Sequence, residues 1–201
     1  MKEFLKLSEC EEMEADMAKK LVVVVDMQND FIDGALGSKE AVKIVDNCAE
    51  RIRRATAEED VIVFTRDTHG DDYMQTEEGK NLPVPHCIKG SEGWEIAAKL
   101  QGFCENAVIL DKETFGSRNL GEYAAELYKN GKIESIELLG LCTDICVISN
   151  ALLVKAFCPD IPVFVDASCS AGVTPESHET ALKAMESCQI HILGKGEEPW
   201  K

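Results

Sequence analysis

The stretch Leu21-Val-Val-Val-Val25-Asp26-Met-Gln-Asn-Asp-Phe31 decides the reading of the chain. Five consecutive apolar residues, four of them valine, suit a strand covered on both faces, and such strands belong to parallel sheets. An acid placed directly after them sits at the carboxyl end of the sheet, where open α/β folds bind ligands. Working outward, the same alternation recurs. Residues 39–57 carry a helical stripe (Ala41, Ile44, Val45, Cys48, Ile52), and Val61–Phe64 reads as a second strand. A short helix is expected near 93–100, a strand at Ala107–Leu110 and a helix at Leu120–Lys129. A fourth strand, Ile136–Leu139, is expected to end at Gly140, followed by an apolar helix over 144–157 that stops before Pro159. Pro162–Val165, a helix from Pro175 to Ser187 and a short strand at Ile190–Ile192 complete the series. Strand–helix alternation predicts an α/β fold, a three-layer α/β/α sandwich around a six-stranded, mostly parallel sheet of order 3-2-1-4-5-6. Residues 1–18 read as an acidic amphipathic helix or tail ahead of this single domain.

The chain has 201 residues, with 21 Lys+Arg against 37 Asp+Glu, a net charge of −16. That size fits one domain with a substantial core. The acidity repels phosphate backbones and anionic lipid, so neither nucleic acid nor a membrane is the expected partner. Leu21–Val25 is far shorter than the ~20 apolar residues of a spanning helix. The first twenty residues mix six acids with four bases and lack a secretory pattern. The nine cysteines include no Cys-x-x-Cys pair, which points to free thiols in a reducing cytoplasm.

The loops that follow the strands carry the reactive groups. Asp26 follows strand one, Thr65-Arg-Asp67-Thr-His69 strand two, Asp111-Lys112-Glu113 strand three, and Gly140-Leu-Cys142-Thr-Asp144-Ile-Cys146 strand four. Cys146 is the best nucleophile candidate, because a first-turn position with Thr143 or Asp144 as cap exposes it to free N–H groups and the helix dipole. The same N–H groups suit a developing oxyanion. Cys142 shares the loop, and composition alone does not separate the two; its place just before the helix suits a backbone role. The other thiols read as buried packing. Asp67 and His69 project from one side of an extended stretch. His86, between Pro85 and Cys87, and Glu77 or Glu78 complete a candidate metal set, whose two histidines and carboxylates suit Zn, Fe or Mn better than Mg or Ca. Cys87, directly after His86, is easily mistaken for a metal ligand by position. The ordinary alternative for these histidines is plain hydrogen bonding, and for His178 and His191 that structural role dominates.

Taken as an ordered set, Asp26-Met-Gln-Asn-Asp-Phe31, Asp67-Thr-His69, Pro85-His86-Cys87, Lys112-Glu-Thr-Phe115 and Gly140-Leu-Cys-Thr-Asp-Ile-Cys146-Val resemble the nicotinamidase-type cysteine hydrolases of the isochorismatase-like superfamily, over about residues 20–170. The resemblance implies a catalytic triad of Asp26, Lys112 and Cys146, and a cis peptide at Leu141–Cys142 with the Cys142 and Cys146 amides as oxyanion hole. It also implies Phe31 in the substrate pocket and one divalent metal, zinc before iron or manganese, held by Asp67, His69 and His86. Many members have a third histidine between the Asp-x-His and Pro-His segments. This chain has none, so Glu78, before Glu77, is expected to replace it. Leu82-Pro-Val-Pro85 stands where an aromatic residue often precedes the Pro-His. The implied reaction is hydrolysis of a small carboxamide through a cysteine thioester, nicotinamide to nicotinate and ammonia as the first expectation. The alternatives are another amide, ureido or carbamoyl substrate, or a non-catalytic binding domain. The expected partner is the small amide itself. Many members are homo-oligomers, though nothing in the sequence marks an interface.

Overall fold

In the computed structural model, which describes residues 19–201, one six-stranded parallel sheet runs through the molecule in the order β3-β2-β1-β4-β5-β6. Residues 1–18, and with them the expected acidic helix or tail and Cys10, lie outside the described residues. The strands are β1 (Lys19–Val25), β2 (Val61–Asp67), β3 (Val108–Lys112), β4 (Ile133–Leu141), β5 (Val163–Ala171) and β6 (His191–Leu193). The helices are α1 (Asn29–Ile32), α2 (Lys39–Ala57), α3 (Glu77–Asn81), α4 (Ala98–Gln101), α5 (Arg118–Lys129), α6 (Ile148–Phe157) and α7 (Pro175–Ser187). Among the described residues no helix is long and apolar enough to cross a membrane, and the eight cysteines there are free thiols.

The all-apolar β1 is what splits the core in two. Leu21, Val23 and Val25 face α5, α6 and α7 through Leu120, Ala124, Val154, Leu182 and Met185. Val22 and Val24 face α2 through Ile44, Cys48 and Ile52. Both sides of the strand are completely buried, as a two-sided hydrophobic run requires. The ends of α2 and α7 are set by Ser38, whose hydroxyl accepts from Ala41 N, and by Thr174 in a capping box with Ser177, with Pro175 in the first turn.

Register then aligns the strand ends that carry chemistry. Val24 lies between Phe64 and Leu139, Val25 opposite Gly140, and Asp67 opposite Lys112. Gly140 does not end β4, which continues to Leu141. Its φ of +117° and the approach of Val25 O to 2.2 Å from a built Cβ leave room only for glycine. Two other expectations are corrected. Residues 93–97 are not helical, because their backbone bonds the segment after β1: Asn29 N donates to Glu95 O and Ala97 N to Met27 O. Only Ala98–Gln101 makes a helical turn. The helix expected from residue 144 begins as a wide π turn at Thr143–Val147, with Val147 N donating to Cys142 O, before α6 proper. β5 also runs six residues beyond the expected Val165, because Asp166 and Ser168 are the partly exposed half of an alternating strand.

Candidate active site

Asp26 directly follows β1, Lys112 ends β3 and Cys146 lies in the turn after β4, and the three meet at the carboxyl end of the sheet. Lys112 Nζ lies 2.7 Å from Asp26 Oδ2 and 3.5 Å from Cys146 Sγ. It also lies 3.0 Å from Asp67 Oδ1. All four side chains are buried, yet Asp67, Cys142 and Cys146 line a cavity of about 940 Å3 that opens to solvent. Asp26 adopts φ +47°, turning its carboxylate away from the strand direction and into the site. Thr65 on β2 fixes that turn by donating its hydroxyl to Asp26 Oδ1 at 2.7 Å.

The charges are unequal in their consequences. Burial raises the Asp26 carboxyl above its ordinary value; the Lys112 ammonium opposes this and the Asp67 charge adds to it. Burial and then the Asp26 charge push the Cys146 thiol well up, with Lys112 acting in the other direction. Desolvation therefore acts against the helix entrance that favours a thiolate, and it leaves a carboxylate of raised basicity beside the thiol. Cys142 is pushed up to about 12, chiefly by burial and next by Asp144. Lys112 resists its own burial, because the Asp26 and Asp67 carboxylates hold its ammonium charged.

The peptide between Leu141 and Cys142 is cis. Neither expected cap is used as one. Thr143 Oγ1 lies 2.8 Å from His178 Nδ1, and Asp144 Oδ1 accepts from Val173 N at 3.1 Å. Asn150, which sequence reasoning missed, braces the turn from α6. Its side-chain amide donates to Cys146 O and Phe115 O and accepts from Ser117 N, tying the loop after Lys112 to the turn of Cys146. Gln28 was missed as well. Buried after β1, it grips Asp67 through both backbone groups, at 2.8 Å to the carbonyl and 2.7 Å from the N–H. Two buried amides whose groups are all partnered have no sequence signature beyond proximity to the motifs.

One wall of the cavity holds Asp67, His69, Glu78 and His86, whose donor atoms all lie within 4.8 Å of one another. Asp67 Oδ2 is 3.0 Å from His69 Nε2 and 3.6 Å from His86 Nε2, and Glu78 Oε1 is 3.7 Å from both rings. Glu77 is outside this group; its carboxylate accepts from Asn81 one turn on. Cys87 is also outside, with its side chain in the apolar core and its N–H donated to Asp30. His86 Nδ1–H donates to Val84 O at 2.8 Å, which leaves Nε2 as the free nitrogen facing the cluster. Burial alone would raise the Asp67 carboxyl, but His69, His86 and Lys112 hold it far below the usual range. Burial and the Asp67 charge raise Glu78. Two imidazoles and two carboxylates that converge in this way fit a divalent transition metal. Phe31 is also at the cavity, its ring edge-on to His86 with centroids 5.4 Å apart.

Comparisons with known proteins place the fold in a family. The Isochorismatase domain model matches residues 20–195. PncA of Bacillus subtilis (strain 168), described as an uncharacterized isochorismatase family protein, is 27% identical over 173 residues, covering 82% of this chain and 92% of its own. The pyrazinamidase of Pyrococcus horikoshii in complex with zinc superposes with a TM-score of 0.74 at 30% identity, over 87% of this chain and 98% of its own. The N-carbamoylsarcosine amidase of Thermoplasma acidophilum does so with a TM-score of 0.70 at 26% identity, over 87% and 95%. With the domain match spanning nearly all of the described sheet, and with reactive groups gathered at its carboxyl end, the chain belongs to the isochorismatase domain family and is an isochorismatase-family hydrolase.

Proposed function

We propose that this hydrolase cleaves small carboxamides through a thioester on Cys146, with nicotinamide, giving nicotinate and ammonia, as its substrate. The observation that carries the reading is the Lys112 ammonium within 2.7 Å of a buried carboxylate and 3.5 Å of a buried thiol beside an open cavity. Asp26 takes the thiol proton as sulfur attacks the amide carbon. The tetrahedral oxyanion is held by the Cys142 and Cys146 amides, each such donor typically worth about 3 kcal/mol of barrier. Asp26 returns the proton to the amide nitrogen, ammonia leaves and a thioester remains. Water, losing its proton to Asp26, then cleaves the thioester to the carboxylic acid and the free thiol. Asp67, His69, Glu78 and His86 would hold one divalent ion, zinc by preference, which supplies Lewis acidity toward a ring nitrogen and so orients the substrate. Phe31 offers an aromatic edge to a planar ring.

The pyrazinamidase and N-carbamoylsarcosine amidase neighbours both support amide hydrolysis. The second keeps a carbamoyl substrate as the competing reading, and a cavity of about 940 Å3, lined at one side by Leu82, has room for more than a pyridine ring. Purified protein is expected to release ammonia from nicotinamide, and Cys146→Ala to abolish that release. Turnover that persists in Cys146→Ala refutes the nucleophile. Cys146-dependent release from carbamoyl amides but not nicotinamide moves the substrate to the second class.

A further inference from the structure

Behind the Cys146 turn, away from the cavity, lies a second set of buried polar side chains. Thr143 stands between Cys142 and Cys146, and its hydroxyl meets His178 Nδ1 at 2.8 Å. Both residues are fully buried, and neither lines the cavity. His178 belongs to α7, which reaches this position because residue 172 is glycine. A Cβ there would stand 2.9–3.0 Å from the His178 backbone and Cβ. On its far side the imidazole is covered by the last residues of the chain. Nε2 lies 3.5 Å from Glu198 Oε1, and the Trp200 ring stands edge-on to it with centroids 5.3 Å apart. Lys201 Nζ closes the set at 3.0 Å from the same Glu198 oxygen.

We propose that His178 is a positioning residue for the reaction: through Thr143 it fixes the turn that presents the Cys142 and Cys146 amides, and the Glu198–Lys201 segment holds the imidazole in place. The inference rests on the reading of Cys146 as nucleophile. A π turn is irregular backbone with poorer hydrogen-bond geometry than an α-helix, and here no side chain caps its start. Its placement depends on ties from outside, and two of them come from the segment that joins β5 to α7 and from α7 itself: Val173 N to Asp144, and His178 to Thr143. Nε2 faces the Glu198 carboxylate at 3.5 Å without a hydrogen bond, and a ring proton on that nitrogen makes Nδ1 the acceptor for the Thr143 hydroxyl. Losing that tie lets the turn drift, and misplacing a catalytic group by about 1 Å lowers rates by about 10²-fold.

Asparagine places a polar atom where Nδ1 sits, whereas glutamine reaches only toward Nε2, so the two substitutions separate the contact from mere bulk. His178→Gln and Thr143→Val are expected to lower kcat by about 10–10²-fold with KM within about twofold, since neither residue touches the cavity. His178→Asn and Thr143→Ser should retain most of the wild-type kcat. The double variant Thr143→Val, His178→Gln should be no slower than Thr143→Val alone, because both remove one contact. Nicotinamide and p-nitrophenyl acetate serve as probes, with folding checked by circular dichroism. Should the His178 variants fail to fold, the Thr143 pair decides by itself. Wild-type kcat in Thr143→Val, equal losses in His178→Asn and His178→Gln, or a change confined to KM would overturn the proposal. Cys146→Ala run beside them separates the two readings. Turnover that survives it refutes the nucleophile, whereas Cys146-dependent turnover indifferent to Thr143 refutes only the positioning role.

Discussion

Replacing Asp26 by asparagine is expected to make Cys146 easier to alkylate and yet nearly useless as a catalyst. The substitution keeps shape and keeps the Thr65 hydroxyl bond to one side-chain oxygen. It removes one negative charge. Asp26 and Cys146 both contact the Lys112 ammonium, at 2.7 and 3.5 Å, so carboxylate oxygen and sulfur lie at most about 6 Å apart. At an effective dielectric of about 20, two negative charges at that distance repel by about 3 kcal/mol, a factor of about 100 in an equilibrium. Asp26 is the largest contributor after burial to the raised thiol, so its removal favours the thiolate by about that factor. Lys112 remains charged through Asp67. The thiolate fraction at pH 7 then rises about 100-fold, while the weaker intrinsic nucleophilicity of a less basic thiolate takes back about tenfold. Iodoacetamide is thus expected to label Cys146 about tenfold faster in Asp26→Asn, while loss of the general base lowers kcat by about 10²–10⁴-fold. Peptide mapping by mass spectrometry reads Cys146 separately, with the exposed Cys188 as reference. Labelling that slows in step with turnover would mean that the carboxylate generates the resting thiolate, and the charge argument would be wrong.

Two further outcomes are expected. On the α2 side of the sheet, buried Glu137 receives Arg51 at 2.6 and 2.9 Å and Lys20 at 3.3 Å, so Glu137→Gln should cost about 3–5 kcal/mol of unfolding free energy at pH 7. Burial alone would raise the Glu137 carboxyl, but Arg51 and Lys20 hold it low. Its stabilisation is therefore complete above the ordinary carboxylate value and lost as pH falls through the lower folded one. Urea titrations should show the gap between wild type and Glu137→Gln shrinking below about pH 4, and a gap as wide at pH 3 as at pH 7 would contradict the assignment. At the four-donor cluster, elemental analysis should find about one divalent metal per chain and less in Glu78→Gln, with chelation lowering ammonia release while the circular dichroism spectrum is unchanged. Metal-free protein that turns over at the full rate would refute that ligand set.

The fold was legible because its strands are short, apolar and separated by amphipathic helices. The two-sided burial of Leu21–Val25 could be read from five letters. Elements whose conformation is decided by distant partners could not. Residues 93–97 have a plausible helical composition but pair with the backbone after β1. The end of β5 looks like a loop in sequence, since its alternate residues are polar and partly exposed. For the site, register did what motifs alone could not: Asp67 opposite Lys112 and Val25 opposite Gly140 bring groups from four strands to one rim. The groups that hold those motifs in place, Thr65, Gln28 and Asn150, are ordinary polar residues whose roles appear only once three-dimensional neighbours are known.

The raised thiol and the proposed nucleophile role are compatible for an electrostatic reason. Releasing the Cys146 proton to solvent would create a new buried charge, which burial and Asp26 both oppose. Passing it to Asp26 creates none. The negative charge moves from a carboxylate oxygen 2.7 Å on one side of the Lys112 ammonium to a sulfur 3.5 Å from the same ammonium, so its counter-ion stays within reach throughout. The burial that raises Asp26 also favours this transfer, because a carboxyl shifted upward is a better proton acceptor. A site that kept its cysteine permanently ionised would face every electrophile that entered the cavity. On the proposed mechanism the thiolate forms only where a proton acceptor, a fixed cation and a substrate carbon coincide, and desolvation confines the chemistry to that moment.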